Sequence, residues 1–190
     1  MLCVWCAASA WTPLVPRHSV TPSTARSHAA SMGILKGIDP LLTAELLYVL
    51  RSAGHGDVIA VVDANFPAAS TAVDTDYEES IVLAGASLPD ALAAISSVLP
   101  LDLFIEEPVG VMVPSEGLTM PPLAVEVQKE AIAAIEANSG EVVCEEVERF
   151  DFYDRAREAY AIVQCSERRP YGCFLLTKGV VGPDGKDLKP

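Results

Sequence analysis

Gly54-His55-Gly56-Asp57-Val58-Ile59-Ala60-Val61-Val62-Asp63-Ala64-Asn65-Phe66-Pro67 is the stretch that decides the fold. Upstream of it, Leu46, Leu47, Leu50 and Ala53 recur at helical spacing. Thr43 reads as the N-cap, and Glu45 places a carboxylate at the positive end of the helix dipole. Gly54 can take the left-handed conformation that ends a helix. The continuous apolar run Val58 to Val62 then reads as a strand covered on both faces, and a polar loop closed by Pro67 follows.

The rest of the chain repeats this grammar. Ser80 to Ala84 is a second apolar run. Ser87, with Pro89 and Asp90 behind it, opens an Ala- and Leu-rich helix that stops near Pro100. Asp102 to Val113 reads as one or two strands interrupted at Glu106-Glu107-Pro108, and a longer helix is predicted over Pro122 to Asn138, ending in Ser139-Gly140. Val142 to Val147 reads as a strand and Phe150 to Ala159 as a short amphipathic helix. Tyr160 to Gln164 and Phe174 to Thr177 read as strands joined through Glu167 to Gly172. Helices alternating with buried strands argue for an α/β domain, its sheet mostly parallel or mixed.

The flanks differ in kind. Residues 1–31 carry Arg17 and Arg26, many Ser, Thr, Ala and Pro, and no acid; the first carboxylate is Asp39. That composition fits an organellar transit peptide. A secretory signal is a poorer match, since no positive charge precedes the apolar start, and a start at Met32 is the third reading. The expected layout is a leader over 1–31, one domain over 32–182 and a flexible tail over 183–190. The expected location is cytoplasmic, or a plastid or mitochondrion if the leader directs import.

Bulk composition excludes several classes. Half of the 190 residues are hydrophobic, enough for a sizeable core, and the net charge of -13 opposes binding to nucleic acid or anionic membranes. No apolar run reaches the roughly 18–20 residues of a spanning helix. Five scattered cysteines read as reduced thiols. Cys3-Val4-Trp5-Cys6 has redox spacing but precedes any helix whose N-terminus could lower a thiol pKa. No G-x-G-x-x-G opens a helix, no phosphate-binding G-x-x-x-x-G-K-[ST] is present, and no Cys/His pairs have zinc spacing. No cofactor and no metal are therefore expected.

Within the domain His55 is the sole histidine, the others being His18 and His28 in the leader. An imidazole suits proton chemistry near neutral pH, and its glycine neighbours leave room for a ligand. Asp63 lies beyond the carboxyl end of a strand, where α/β sheets bind ligands. Taken singly, His55 could interact with helix carbonyls, Asp63 could cap a turn, and Arg149 and Tyr171 could be surface residues. Together they offer an imidazole, a carboxylate, a guanidinium and a phenol, which suits proton shuttling on a neutral polyol.

Gly54-His55-Gly56-Asp57 and Asp63-Ala64-Asn65-Phe66-Pro67 resemble the L-fucose mutarotase branch of the RbsD/FucU family. So do Lys36 to Leu42, Arg149 to Arg155 and Glu167 to Cys173, in family order; the resemblance covers about Gly33 to Gly182. It implies a three-layer α/β domain with a mixed sheet and helices on both faces. It also implies a cofactor-independent isomerase that interconverts the α and β anomers of L-fucose or a related sugar. By the same resemblance His55 is the catalytic acid/base, and Asp63, Arg149 and the tripeptide Tyr171, Gly172, Cys173 bind substrate. Cys173 stands where the family often has Asn, and a thiol is a poor hydrogen-bonding partner. The resemblance further implies a homo-oligomeric ring, with sites completed by a neighbouring subunit. The competing readings are a ribose-type pyranase, a mutarotase for another sugar, and a sugar-binding assembly module without catalysis.

Overall fold

The computed structural model describes residues 33–189. The leader, with Cys3, Cys6 and both tryptophans, lies outside the described residues. In chain order the elements are α1 (Ala44–Ser52), β1 (Val58–Val62), α2 (Ala68–Ala72), β2 (Ser80–Leu83), α3 (Leu88–Ser96) and β3 (Val109–Val113). After these come α4 (Pro122–Ser139), β4 (Cys144–Glu148), α5 (Arg149–Arg157), β5 (Ala161–Cys165) and β6 (Phe174–Thr177).

The six strands form one sheet in the order β2-β5-β1-β6-β3-β4. β6 runs antiparallel to both of its neighbours, and every other pairing is parallel. The expected mixed sheet is found, and so are helices on both of its faces. Alternate residues of β1 serve the two sides, as a pleated strand requires. Ile59 and Val61 join a core with Leu46, Leu92, Val127 and Ile135 from α1, α3 and α4. Ala60 and Val62 join a second core with Ala72, Phe152 and Ala156 from α2 and α5. That two-sided burial explains why Val58 to Val62 shows no polar alternation.

Local chemistry sets the helix ends. Thr43 Oγ1 accepts from Leu46 N at 3.1 Å, and Ser87 Oγ accepts from Asp90 N at 3.3 Å. The left-handed glycine after α1 is Gly56 (φ 88°), not Gly54. Gly54 instead donates its N–H to Asp57 Oδ2 at 2.5 Å.

Of the one or two strands expected within Asp102 to Val113, one, β3, forms; the chain turns after Asp102, whose Oδ1 accepts from Phe104 N at 3.2 Å. α2 was not foreseen, since a five-residue helix is too short to show an apolar period. The segment read as a flexible tail carries a bridge between Val181 and Asp187, and Asp187 Oδ2 accepts from Leu101 N at 3.3 Å. Among the described residues no helix is long and apolar enough to cross a membrane.

Candidate active site

The direction of β6 places two regions at opposite ends of β1. Val61 pairs with Phe174 and Val58 with Thr177. The start of β6 therefore lies at the carboxyl end of β1, and its finish lies at the amino end. A small cavity occupies the first end and His55 the second.

The cavity, of about 260 Å³, lies where the parallel strands finish. Asp63 follows β1, Met112 is the penultimate residue of β3, and Arg149 opens α5 directly after β4. Asp63 is buried; its Oδ1 accepts from Asn65 N at 2.8 Å and Phe66 N at 3.1 Å, and its Oδ2 from Gly172 N at 3.2 Å. Burial raises the Asp63 carboxyl above its usual range, while the amides of Asn65, Gly172 and Phe66 pull it down. The Cys173 thiol beside it is buried and pushed well above its ordinary value, by burial first and by the Asp63 charge second. It is therefore a neutral thiol against a carboxylate.

Tyr171 and Arg149 supply the other polar groups. Tyr171 has φ 59°, a left-handed conformation uncommon for a side chain of its size and worth notice at a cavity wall. Its carbonyl accepts from Gln128 Nε2 at 2.9 Å, which ties the β5–β6 loop to α4. Gly172 is hemmed in: a Cβ there would meet Leu88 Cδ2 at 3.2 Å and Glu167 Cγ at 3.3 Å. Arg149 lies over the Phe150 ring at 4.5 Å, and its Nε is buried with no hydrogen-bond partner among the described residues. Phe66, Met112 and Tyr153 add apolar walls. Burial raises the Tyr153 phenol, so that side chain is a neutral donor.

The structure thus brings together Asp63, Arg149, Tyr171 and Cys173, with Gly172 behind them. His55 is not among them. It lies before β1, separated from Asp63 by a strand of five residues, roughly 16 Å of extended chain. Within one chain Asp63 does not reach the imidazole. The acid that meets His55 is Asp102, with Nε2 to Oδ2 at 3.1 Å. The His55 side chain is 53% exposed, and its ring lies edge-on to Phe104. A groove of about 500 Å³ runs beside it, walled by Leu47, Leu50, Val98 and Pro100.

Sequence reasoning missed Asp102, Met112 and Tyr153. Asp102 was read as the start of a strand, and only the fold brings it to His55. Met112 was accessible to the strand-end rule, being close to the carboxyl end of a predicted strand. Tyr153 stands within the Arg149 to Arg155 motif, which by itself implies no role for it. Among the described residues no three His, Cys, Asp or Glu side chains converge as metal ligands would.

Comparison with known proteins matches this architecture. Residues 36–181 match the RbsD / FucU transport protein family. The chain is 41% identical over 155 residues to the fucose mutarotase of Homo sapiens, covering 79% of this chain and 96% of that one. It is 38% identical over 147 residues to the L-fucose mutarotase of Actinobacillus pleuropneumoniae, covering 77% and 97%. The fucose mutarotase of Streptococcus pneumoniae, solved in complex with L-fucose, superposes with a TM-score of 0.68 at 32% identity, covering 78% of this chain and all of that one. With a matching family region over most of its length and relatives at these identities, the chain belongs to the RbsD / FucU transport protein family.

Proposed function

We propose that this protein interconverts the α and β anomers of L-fucose, or of a closely related reducing monosaccharide, by acid–base ring opening and re-closure. One observation carries the reading: the strand-end cavity gathers Asp63, Arg149 and Tyr171 between apolar walls in a chain 38–41% identical to fucose mutarotases over nearly their full length. A cavity of about 260 Å³ suits a single small sugar better than a drug-sized or dinucleotide ligand, whose pockets begin near ~300 Å³.

The chemistry follows from the hemiacetal. As the bond from the anomeric carbon to the ring oxygen opens, one proton leaves the anomeric hydroxyl and another reaches the ring oxygen. Rotation about the single bond between the freed carbonyl carbon and its neighbour, followed by re-closure on the other carbonyl face, gives the other anomer. A group with an ordinary pKa near ~6.5 works in both directions of a thermoneutral reaction, which suits histidine. In this reading His55 is the acid/base, Arg149 donates to sugar hydroxyls, and Tyr171 positions the ring or relays a proton. Asp63 and the backbone of Gly172 and Cys173 shape the polar end of the cavity.

The distance between His55 and the cavity has a consequence. One chain does not hold the full set at one place, so the reading requires a second copy to bring its His55 to the cavity of the first. Exposure of His55, with half-exposed Phe104 and Ile105 in the adjoining loop, supports an assembly through that face. A closed ring is the symmetric way for head-to-tail contacts to satisfy every site. Residues 1–31 would direct this assembly to an organelle if they act as a transit peptide; N-terminal sequencing of the mature protein tests that.

The deciding experiment is saturation-transfer NMR of anomer exchange with L-fucose, run beside ribose, galactose and fuculose. Faster exchange of L-fucose than in buffer, lost in His55→Ala, is the expected result. Sugar binding without faster exchange would instead identify a binding module.

A further inference from the structure

His55 has a buried carboxylate partner to which neither the sequence motifs nor the proposed chemistry assigns a role. Asp102 is 5% exposed, whereas its partner imidazole is half in solvent. Its two oxygens are divided: Oδ1 accepts from Phe104 N at 3.2 Å, and Oδ2 faces His55 Nε2 at 3.1 Å. Both sides of this contact are fastened to the same short segment at the end of β6. Asp102 N donates to Thr177 O at 3.0 Å, and Gly179 N donates to Pro100 O at 2.8 Å. On the histidine side, Gly56 N donates to Lys178 O and Lys178 N to Asp57 O, each at 2.8 Å. The backbones are so close at this point that a Cβ on Gly179 would lie 2.2 Å from Leu101 O. Asp102 and His55 are thus held in register by three consecutive residues.

We propose that Asp102 is the positioning residue of His55, holding the neutral ring as the Nε2–H tautomer so that Nδ1 is the atom that takes and returns the substrate proton. A carboxylate only accepts, so it selects the tautomer that presents N–H to it and leaves the lone pair on the other nitrogen. When Nδ1 takes the proton of the anomeric hydroxyl, the resulting imidazolium remains paired with Asp102 and gives a proton to the ring oxygen as its bond to the anomeric carbon breaks, which restores the starting tautomer. Re-closure runs the same two transfers in reverse. The inference rests on the acid–base role proposed for His55 and adds which nitrogen reacts and what aims it.

Asp102→Asn separates positioning from packing. The amide oxygen preserves the bond to Phe104 N, while the amide nitrogen, now a donor, replaces the oxygen that faced Nε2. The ring must then carry its proton on Nδ1, which is no longer a base. Two-bond ¹H–¹⁵N correlations of His55 in the full-length wild-type protein are expected to show the Nε2–H tautomer, and Asp102→Asn is expected to show Nδ1–H. Anomer exchange of L-fucose by the variant should fall by about 10²-fold, with KM and the thermal midpoint unchanged. An Nδ1–H tautomer in the wild type would overturn the proposal, as would a variant that exchanges L-fucose as fast as the wild type. Should the variant fail to fold, the wild-type tautomer alone decides. Wild-type protein inactive on L-fucose would defeat the mutarotase reading while leaving the tautomer result standing.

Discussion

At the residue scale, the two principal side chains differ in how far the fold depends on them. His55 touches one carboxylate and one aromatic edge and is otherwise in solvent. His55→Ala is therefore expected to slow L-fucose anomer exchange by about 10²–10⁴-fold, the usual worth of general acid–base help, with an unchanged thermal midpoint. Asp63 is the opposite case, because its three backbone hydrogen bonds close the loop after β1 onto the β5–β6 loop. In Asp63→Asn the amide NH₂ would face the Gly172 N–H, leaving buried donors opposed. A loss of about 1–3 kcal/mol in the urea-unfolding free energy is expected, along with weaker sugar binding. With most of its acceptor positions occupied by its own loops, Asp63 shapes the cavity wall. Its position was legible from the strand-end rule, but its three amide partners were not, since Gly172 is 109 residues away.

At the element scale, the β5–β6 loop that carries Tyr171 is held by an internal brace. Glu167 is buried and accepts from the N–H groups of Arg168 and Arg169 and from the Arg169 guanidinium, which also reaches Glu130 on α4 at 2.8 Å. The hydrogen bonds from the Arg169 side chain are the main reason the Glu167 carboxyl is lowered to about 2 from an ordinary 4.5. A folded-state pKa below the unfolded value contributes stability above about pH 4.5 and loses it as pH falls toward about 2. The brace is thus worth on the order of 3 kcal/mol at neutral pH, counted once for the pair. Glu167→Gln should lower neutral-pH stability by an amount of that order in urea titrations. Its deficit relative to wild type should shrink as the titrations are repeated from pH 4.5 downward. At the other end of β6, Gly179→Ala would drive a Cβ into the Leu101 carbonyl and push Asp102 away from His55. We expect a loss of at least about 2 kcal/mol by thermal denaturation, with slower anomer exchange in whatever protein remains folded. The strands at both ends of this loop were readable from apolar runs. The brace was not, because Glu167, Arg168 and Arg169 in a row also read as an ordinary solvated turn.

At the scale of the whole molecule, one antiparallel strand among five parallel ones decides where the chemistry can occur. Because β6 is reversed, its start completes the cavity with Gly172 and Cys173, and its finish secures the His55–Asp102 pair at the opposite end of the strands. If two copies complete each site, His55→Ala and Arg149→Ala should each be inactive alone. Denatured together and refolded as a mixture, they should regain exchange at about a quarter of the sites, by random assortment of two halves. No recovery on mixing would show that each site draws on one chain. Helix starts at Thr43 and Ser87, the doubly covered strand β1 and the α/β class all followed from the sequence alone. Those features depend on local capping, on period and on residue type, which neighbours in the chain control. The tertiary structure alone decided that Asp63 faces Gly172, that Asp102 faces His55, and that the imidazole and the cavity lie at opposite ends of β1. Those pairings join residues 47 to 109 positions apart, and they depend on strand order and direction, which no local pattern encodes.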